Sequence, residues 1–61
     1  MRKITLNYKS GKDQGVWIQE SKDDLLEWDW ADGCFLVWHD KGTHIVNTDL
    51  IGSVIVEELD D

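Results

Sequence analysis

The sequence predicts an all-β fold, an antiparallel meander of five to six short strands that closes into a small barrel or a strongly bent sheet. Three observations carry this. Apolar and polar residues alternate with period 2 in several segments, which is the signature of half-buried strands. Turn-forming residues recur every 8 to 12 positions, the spacing of a small barrel rather than of βαβ units. No segment offers a crossover helix, so parallel pairing is excluded.

The elements follow in order. In Arg2 to Lys9, Ile4, Leu6 and Tyr8 alternate with Lys3, Thr5, Asn7 and Lys9. Ser10-Gly11-Lys12-Asp13 is a turn, and Gly15 marks a second irregularity or bulge. Residues 15 to 20 place Val16 and Ile18 on one face and Trp17 and Gln19 on the other. Ser21-Lys22-Asp23-Asp24 resembles a capping box, an alternative start for a short helical turn. The period-2 spacing of Leu26, Trp28 and Trp30 favours a turn over 21 to 24 and a strand over 25 to 30. Asp32-Gly33 predicts a hairpin with a type I′ turn. The next strand, Cys34 to His39, is apolar on both faces, with Phe35 and Val37 opposed to Leu36 and Trp38. Asp40-Lys41-Gly42 is a turn, and Thr43 to Asn47 returns as a strand with Ile45 opposed to His44 and Val46. Asn47 to Leu50 reads as a tight or 3₁₀ turn, its small polar residues able to bond back to the backbone. Gly52 to Glu58 forms the last strand, with Val54 and Val56 opposed to Ser53, Ile55 and Glu57, and Asp60 and Asp61 are expected to fray.

A chain of 61 residues is one domain, 1–61. It buries only ~60% of the surface its unfolded form exposes. Backbone and side-chain ordering costs about 90 kcal/mol in total, which apolar burial must nearly offset. The expected core is Ile4, Leu6, Val16, Ile18, Leu26, Trp28, Phe35, Val37, Ile45, Val54 and Val56. One cysteine excludes a disulfide framework and multi-cysteine zinc modules. Four tryptophans exceed what so small a core readily encloses, so some are expected on a surface that meets a partner.

The formal charge is −7, with 13 acidic and 6 basic side chains. Residues 1 to 22 carry five basic and two acidic groups, +3, and residues 23 to 61 carry one basic and eleven acidic, −10. This argues against direct nucleic-acid binding and for an acidic face that steers onto a basic protein surface. The absence of an apolar leader or a long apolar run leads to the expectation of a cytoplasmic protein with no membrane partner.

The C-terminal half, from Phe35-Leu36-Val37-Trp38 through the Lys41-Gly42 turn to Ile45-Val46-Asn47-Thr48-Asp49-Leu50-Ile51-Gly52-Ser53-Val54-Ile55-Val56-Glu57-Glu58, resembles the last strands of SH3-like and Sm-like small barrels. There a short 3₁₀ turn feeds the final strand. The same stretch is similar to small β proteins encoded by phages and prophages. That resemblance implies a compact accessory or inhibitor protein that occludes a bacterial host protein.

The densest candidate site is Glu27-Trp28-Asp29-Trp30-Ala31-Asp32, extended across its hairpin by Trp38 and Asp40. Glu27, Trp28, Asp29, Trp30, Asp32, Trp38 and Asp40 form the expected partner-binding set: indoles supply buried area and carboxylates speed encounter. The blander reading is a core strand with a solvated acidic face. Trp17, Leu36, Trp38, Val46 and Ile55 share the faces opposite the expected core and are read as a homo-oligomer interface, most simply a dimer. Barrel closure with parity-shifting bulges is the competing explanation. His39, His44 and Asp40 fall short of a metal site because nothing fixes a further ligand, so neither metal nor cofactor is expected. Cys34 packs as a small hydrophobe. With no phosphate loop and no activated nucleophile, an enzyme is not expected. The reading is a small acidic protein-interaction module. A nucleic-acid mimic directed at a nuclease or DNA-binding enzyme, and an oligomer that sequesters a small ligand, are the alternatives.

Overall fold

The computed structural model describes residues 1–58; the frayed end expected at Asp60 and Asp61 lies outside them. Six antiparallel strands are present: β1 (Arg2–Tyr8), β2 (Gln14–Ile18), β3 (Leu26–Ala31), β4 (Cys34–His39), β5 (Gly42–Asn47) and β6 (Ile51–Glu58). A 3₁₀ turn over Thr48–Leu50 joins the last two. The described residues contain no α-helix. The strands form two three-stranded sheets, ordered β2-β1-β6 and β3-β4-β5. Their inner faces enclose Ile4, Leu6, Leu26, Phe35 and Val37, with Tyr8, Trp17, Trp28, Val46, Ile51, Val54 and Val56 packed around them.

Turn chemistry accounts for the connections. Gly11 adopts φ 73° between β1 and β2, where its N–H donates to the Tyr8 carbonyl at 3.0 Å. At residues 21 to 24 the capping-box bonds form without a helix. The Asp24 carboxylate accepts from the Glu20 and Ser21 N–H groups, and Ser21 Oγ accepts from Asp23 N–H. In the β3–β4 hairpin only Gly33 has positive φ, 74°, so the expected type I′ turn is corrected: left-handed backbone is needed at one position, not two. Asn47 caps the 3₁₀ turn, its Oδ1 accepting from Asp49 N–H at 2.8 Å.

Two glycines set what faces inward. Gly15 is not a bulge, since the β1–β2 register runs unbroken from Lys3 opposite Ile18 to Asn7 opposite Gln14. Its role is to leave room: a Cβ there would stand 2.9 Å from the Trp17 indole. The bulge lies instead at Gly52, where the register skips from Asn7 opposite Ser53 to Tyr8 opposite Ile51. That extra residue returns Ile51 to the inner face beside Val54 and Val56.

Three members of the expected core are corrected. Val16, Ile18 and Ile45 are 46%, 53% and 68% exposed. In β2 the inner position belongs to Trp17, whose indole fits above Gly15. In β5 the loop holds only Asp40 and Lys41, so Gly42 pairs with His39, His44 with Val37 and Val46 with Phe35. Ile45 is thereby turned outward. A three-residue loop ending at Gly42 would have paired Ile45 with Val37 and turned it inward.

Candidate functional site

The two open flanks between the sheets are closed differently. Near β6 and β3, Arg2 spans the gap. Its Nε donates to Glu58 Oε1 at 2.9 Å, and one Nη donates to Glu27 Oε2 and to the Leu26 carbonyl, both at 3.1 Å. Hydrogen bonding to Glu58, opposed by partial desolvation, holds the guanidinium protonated beyond the ordinary arginine range. Near β2 and β5, rings close the gap. Trp17 lies 5.4 Å from His44, and His44 stacks on His39 at 4.9 Å and 22°. His39 Nδ1 accepts from Lys41 N–H at 3.2 Å, which leaves the proton of the neutral ring on Nε2, an enclosed atom with no hydrogen-bond partner. An open groove of about 390 Å³ runs along this flank between β2 and the β4–β5 turn, with Trp17, Asp24, Leu26 and His39 among its walls. Among the described residues, no three His, Cys, Asp or Glu side chains are grouped to hold a metal ion.

The expected partner-binding residues divide between two faces. Trp28 and Trp30 take inner positions opposite Val37 and Phe35. Trp28 is half-buried against the core, its ring 6.0 Å from Phe35. Trp30 lies 4.6 Å from Phe35 and is 50% exposed. Glu27 and Asp29 point outward, opposite Trp38 and Leu36. Asp32 sits in the β3–β4 turn, and Asp40 Oδ1 accepts from Leu25 N–H at 3.2 Å, tying the β4–β5 turn to the start of β3.

The expected oligomer residues likewise do not form one surface. Trp17 and Val46 pack against the core. Leu36 and Trp38 lie on the outer face of β3-β4-β5, and Ile55 on the outer face of β2-β1-β6.

What the structure assembles is an aromatic and aliphatic group on the outer face of β3-β4-β5. One cross-strand row reads Asp29, Leu36, Ile45, and the adjacent row Glu27, Trp38, Thr43. Leu36 and Trp38 are half-buried and Ile45 is the most exposed large apolar side chain described. Two carboxylates line the β3 side: Asp29, and Glu27, which shares the Arg2 guanidinium with Glu58; no strand residue of this face is itself basic. Ile45 is the member that sequence reasoning assigned to the core; the length of the β4–β5 loop was the signal that could have placed it here. No helix among the described residues is long and apolar enough to cross a membrane. No family model, curated protein or solved structure matches the chain.

Proposed function

We propose that the protein is a small acidic protein-interaction module, of the phage-encoded inhibitor type, that occludes a bacterial host protein by docking on a basic surface. The observation that carries this is the outer face of β3-β4-β5, where Leu36, Trp38 and Ile45 stand beside Glu27 and Asp29. A sheet face turned to water ordinarily alternates to polar residues. Here three large apolar side chains share it. Indole and aliphatic groups supply area that a partner can desolvate, and carboxylates at the rim attract a basic surface and orient it. Net charge −7 extends that attraction beyond the contact area.

The experiment is capture of partners from bacterial lysate, identification of the captured protein, and kinetic measurement with it purified. Replacing Ile45 with serine should raise the off-rate about tenfold or more, since its side chain carries little of the fold. Replacing Asp29 and Asp32 with asparagine should lower the on-rate and flatten its salt dependence. Normal binding by both folded variants would move the site off this face.

A further inference from the structure

The outer face of β2-β1-β6 holds a second apolar surface, separate from the partner-binding face. Register brings Val16, Thr5 and Ile55 into one cross-strand row. Val16 and Ile55 are 46% and 48% exposed, while Thr5, flanked by these two branched side chains, is only 9% exposed. On one side of this row stand Ile18, Lys3 and Glu57. On the other stand Gln14, Asn7 and Ser53, joined side chain to side chain. Gln14 Nε2 donates to Asn7 Oδ1 at 2.9 Å, and Asn7 Nδ2 donates to Ser53 Oγ at 3.0 Å.

Charge decides what can cover this face. It carries Lys3 and Glu57, which cancel, in a chain of net charge −7. The outer face of β3-β4-β5 carries Asp29, which has no cationic partner among the described residues, and Glu27, which shares the single Arg2 guanidinium with Glu58, so two copies meeting there would bring two uncompensated and two partly compensated carboxylates together. We infer that the chain forms a symmetric dimer by packing the outer face of β2-β1-β6 against the same face of a second copy, with the two-fold axis crossing the strands at Thr5.

The register supports that axis. It sets Val16, Thr5 and Ile55 each on its own counterpart. It also reverses strand direction, carrying Ile18, Lys3 and Glu57 onto Gln14, Asn7 and Ser53 of the second copy. Each charge then meets an amide or a hydroxyl, and no like charges face each other. An axis running along β1 would instead stack Lys3 on Lys3. Three strands ~4.8 Å apart and five residues long give a footprint of roughly 14 by 17 Å, below the ~800 Å² per partner of a standard interface. The dimer is therefore weak and populates only at high protein concentration.

Sedimentation equilibrium from about 10 μM to 1 mM tests this, with far-UV circular dichroism as the check on folding. The mass should rise from 7.1 kDa towards twice that value. Ile55→Glu should weaken association at least tenfold, and Ile45→Glu should leave it unchanged. Should Ile55→Glu fail to fold, Val16→Glu takes its place on the opposite strand. Amide resonances of Thr5, Val16 and Ile55 should move on dilution while those of Leu36 and Ile45 stay fixed. A constant 7.1 kDa mass, or a dimer broken by Ile45→Glu and not by Ile55→Glu, overturns the inference. No outside partner is needed for these measurements, so they succeed or fail independently of the host-protein reading.

Discussion

Phe35 is the residue on which the interior turns. It is fully buried, and both Trp28 and Trp30 rest against its ring. Truncation to alanine removes that support and leaves a cavity, costing ~3–5 kcal/mol. A domain this size has ~3–5 kcal/mol in reserve, so Phe35→Ala should be largely unfolded in a urea titration, and native-like cooperative unfolding of the variant would remove Phe35 from that role. Gly15 presents the opposite problem, an added atom. The new Cβ of Gly15→Ala meets the far edge of an indole held between the core and His44. Trp17 must shift, at about 1–3 kcal/mol. Red-shifted tryptophan emission with a lowered urea midpoint is the expected result, and an unchanged spectrum and midpoint would show that the indole has free room.

Between elements, Arg2 does the work of a strand pair that does not exist. No ladder joins β6 to β3, and one guanidinium bonds both. Replacing Arg2 with glutamine should destabilise the fold by ~1–2 kcal/mol, a figure kept low because the pairs are solvent-accessible. The sign of the pH dependence follows from the raised folded-state pKa: the contribution is fully present below the unfolded-state value and is lost only as pH rises through the higher folded value. The stability difference between wild type and Arg2→Gln should therefore not change between about pH 7 and 10, and should shrink in high salt. A difference that collapses across that range would assign the bridge to another group. Gly42, with φ 144° beside a two-residue loop, is the second inter-element device. An alanine there is strained and should lower stability by roughly 1 kcal/mol, measurable as a lower thermal midpoint.

For the whole molecule, charge and apolar surface are sorted by face. On the proposed readings, the acidic outer face of β3-β4-β5 would take a basic protein and the neutral outer face of β2-β1-β6 a second copy. The two proposed sites lie on different sheets, so occupancy of one would leave the other open. A mixture of the protein with its captured partner at high concentration should give a 2:2 assembly, seen as a doubled complex mass in light scattering. A complex that stays 1:1 at millimolar concentration would mean that the two surfaces compete.

Much of this was legible in the chain. Period-2 alternation, together with the turn residues that bound the doubly apolar stretch Cys34 to His39, located all six strands to within two residues, because a strand with one buried face must alternate. Asp32-Gly33, the capping-box turn at 21 to 24 and Asn47 before the 3₁₀ turn were legible because each acts on its nearest neighbours in sequence. The acidic face was legible in part: Glu27, Asp29 and Trp38 do share a surface, since hairpin register follows from the turn. The inward face of β1, β3, β4 and β6 was legible as well, but that of β2 and β5 depended on the tertiary structure. Alternation is symmetric between faces, and one residue more or less in a loop exchanges them. Gly42 in the strand rather than the loop moved Ile45 outward and Val46 inward. The bulge at Gly52 turned Ile51 in, and the space above Gly15 admitted Trp17 in place of Val16 and Ile18. Strands, turns and net charge are set by local bonding and composition, and so are written in the chain order alone. The assignment of tryptophans and isoleucines to core or surface arose from how two sheets meet, a relation between residues far apart in the chain.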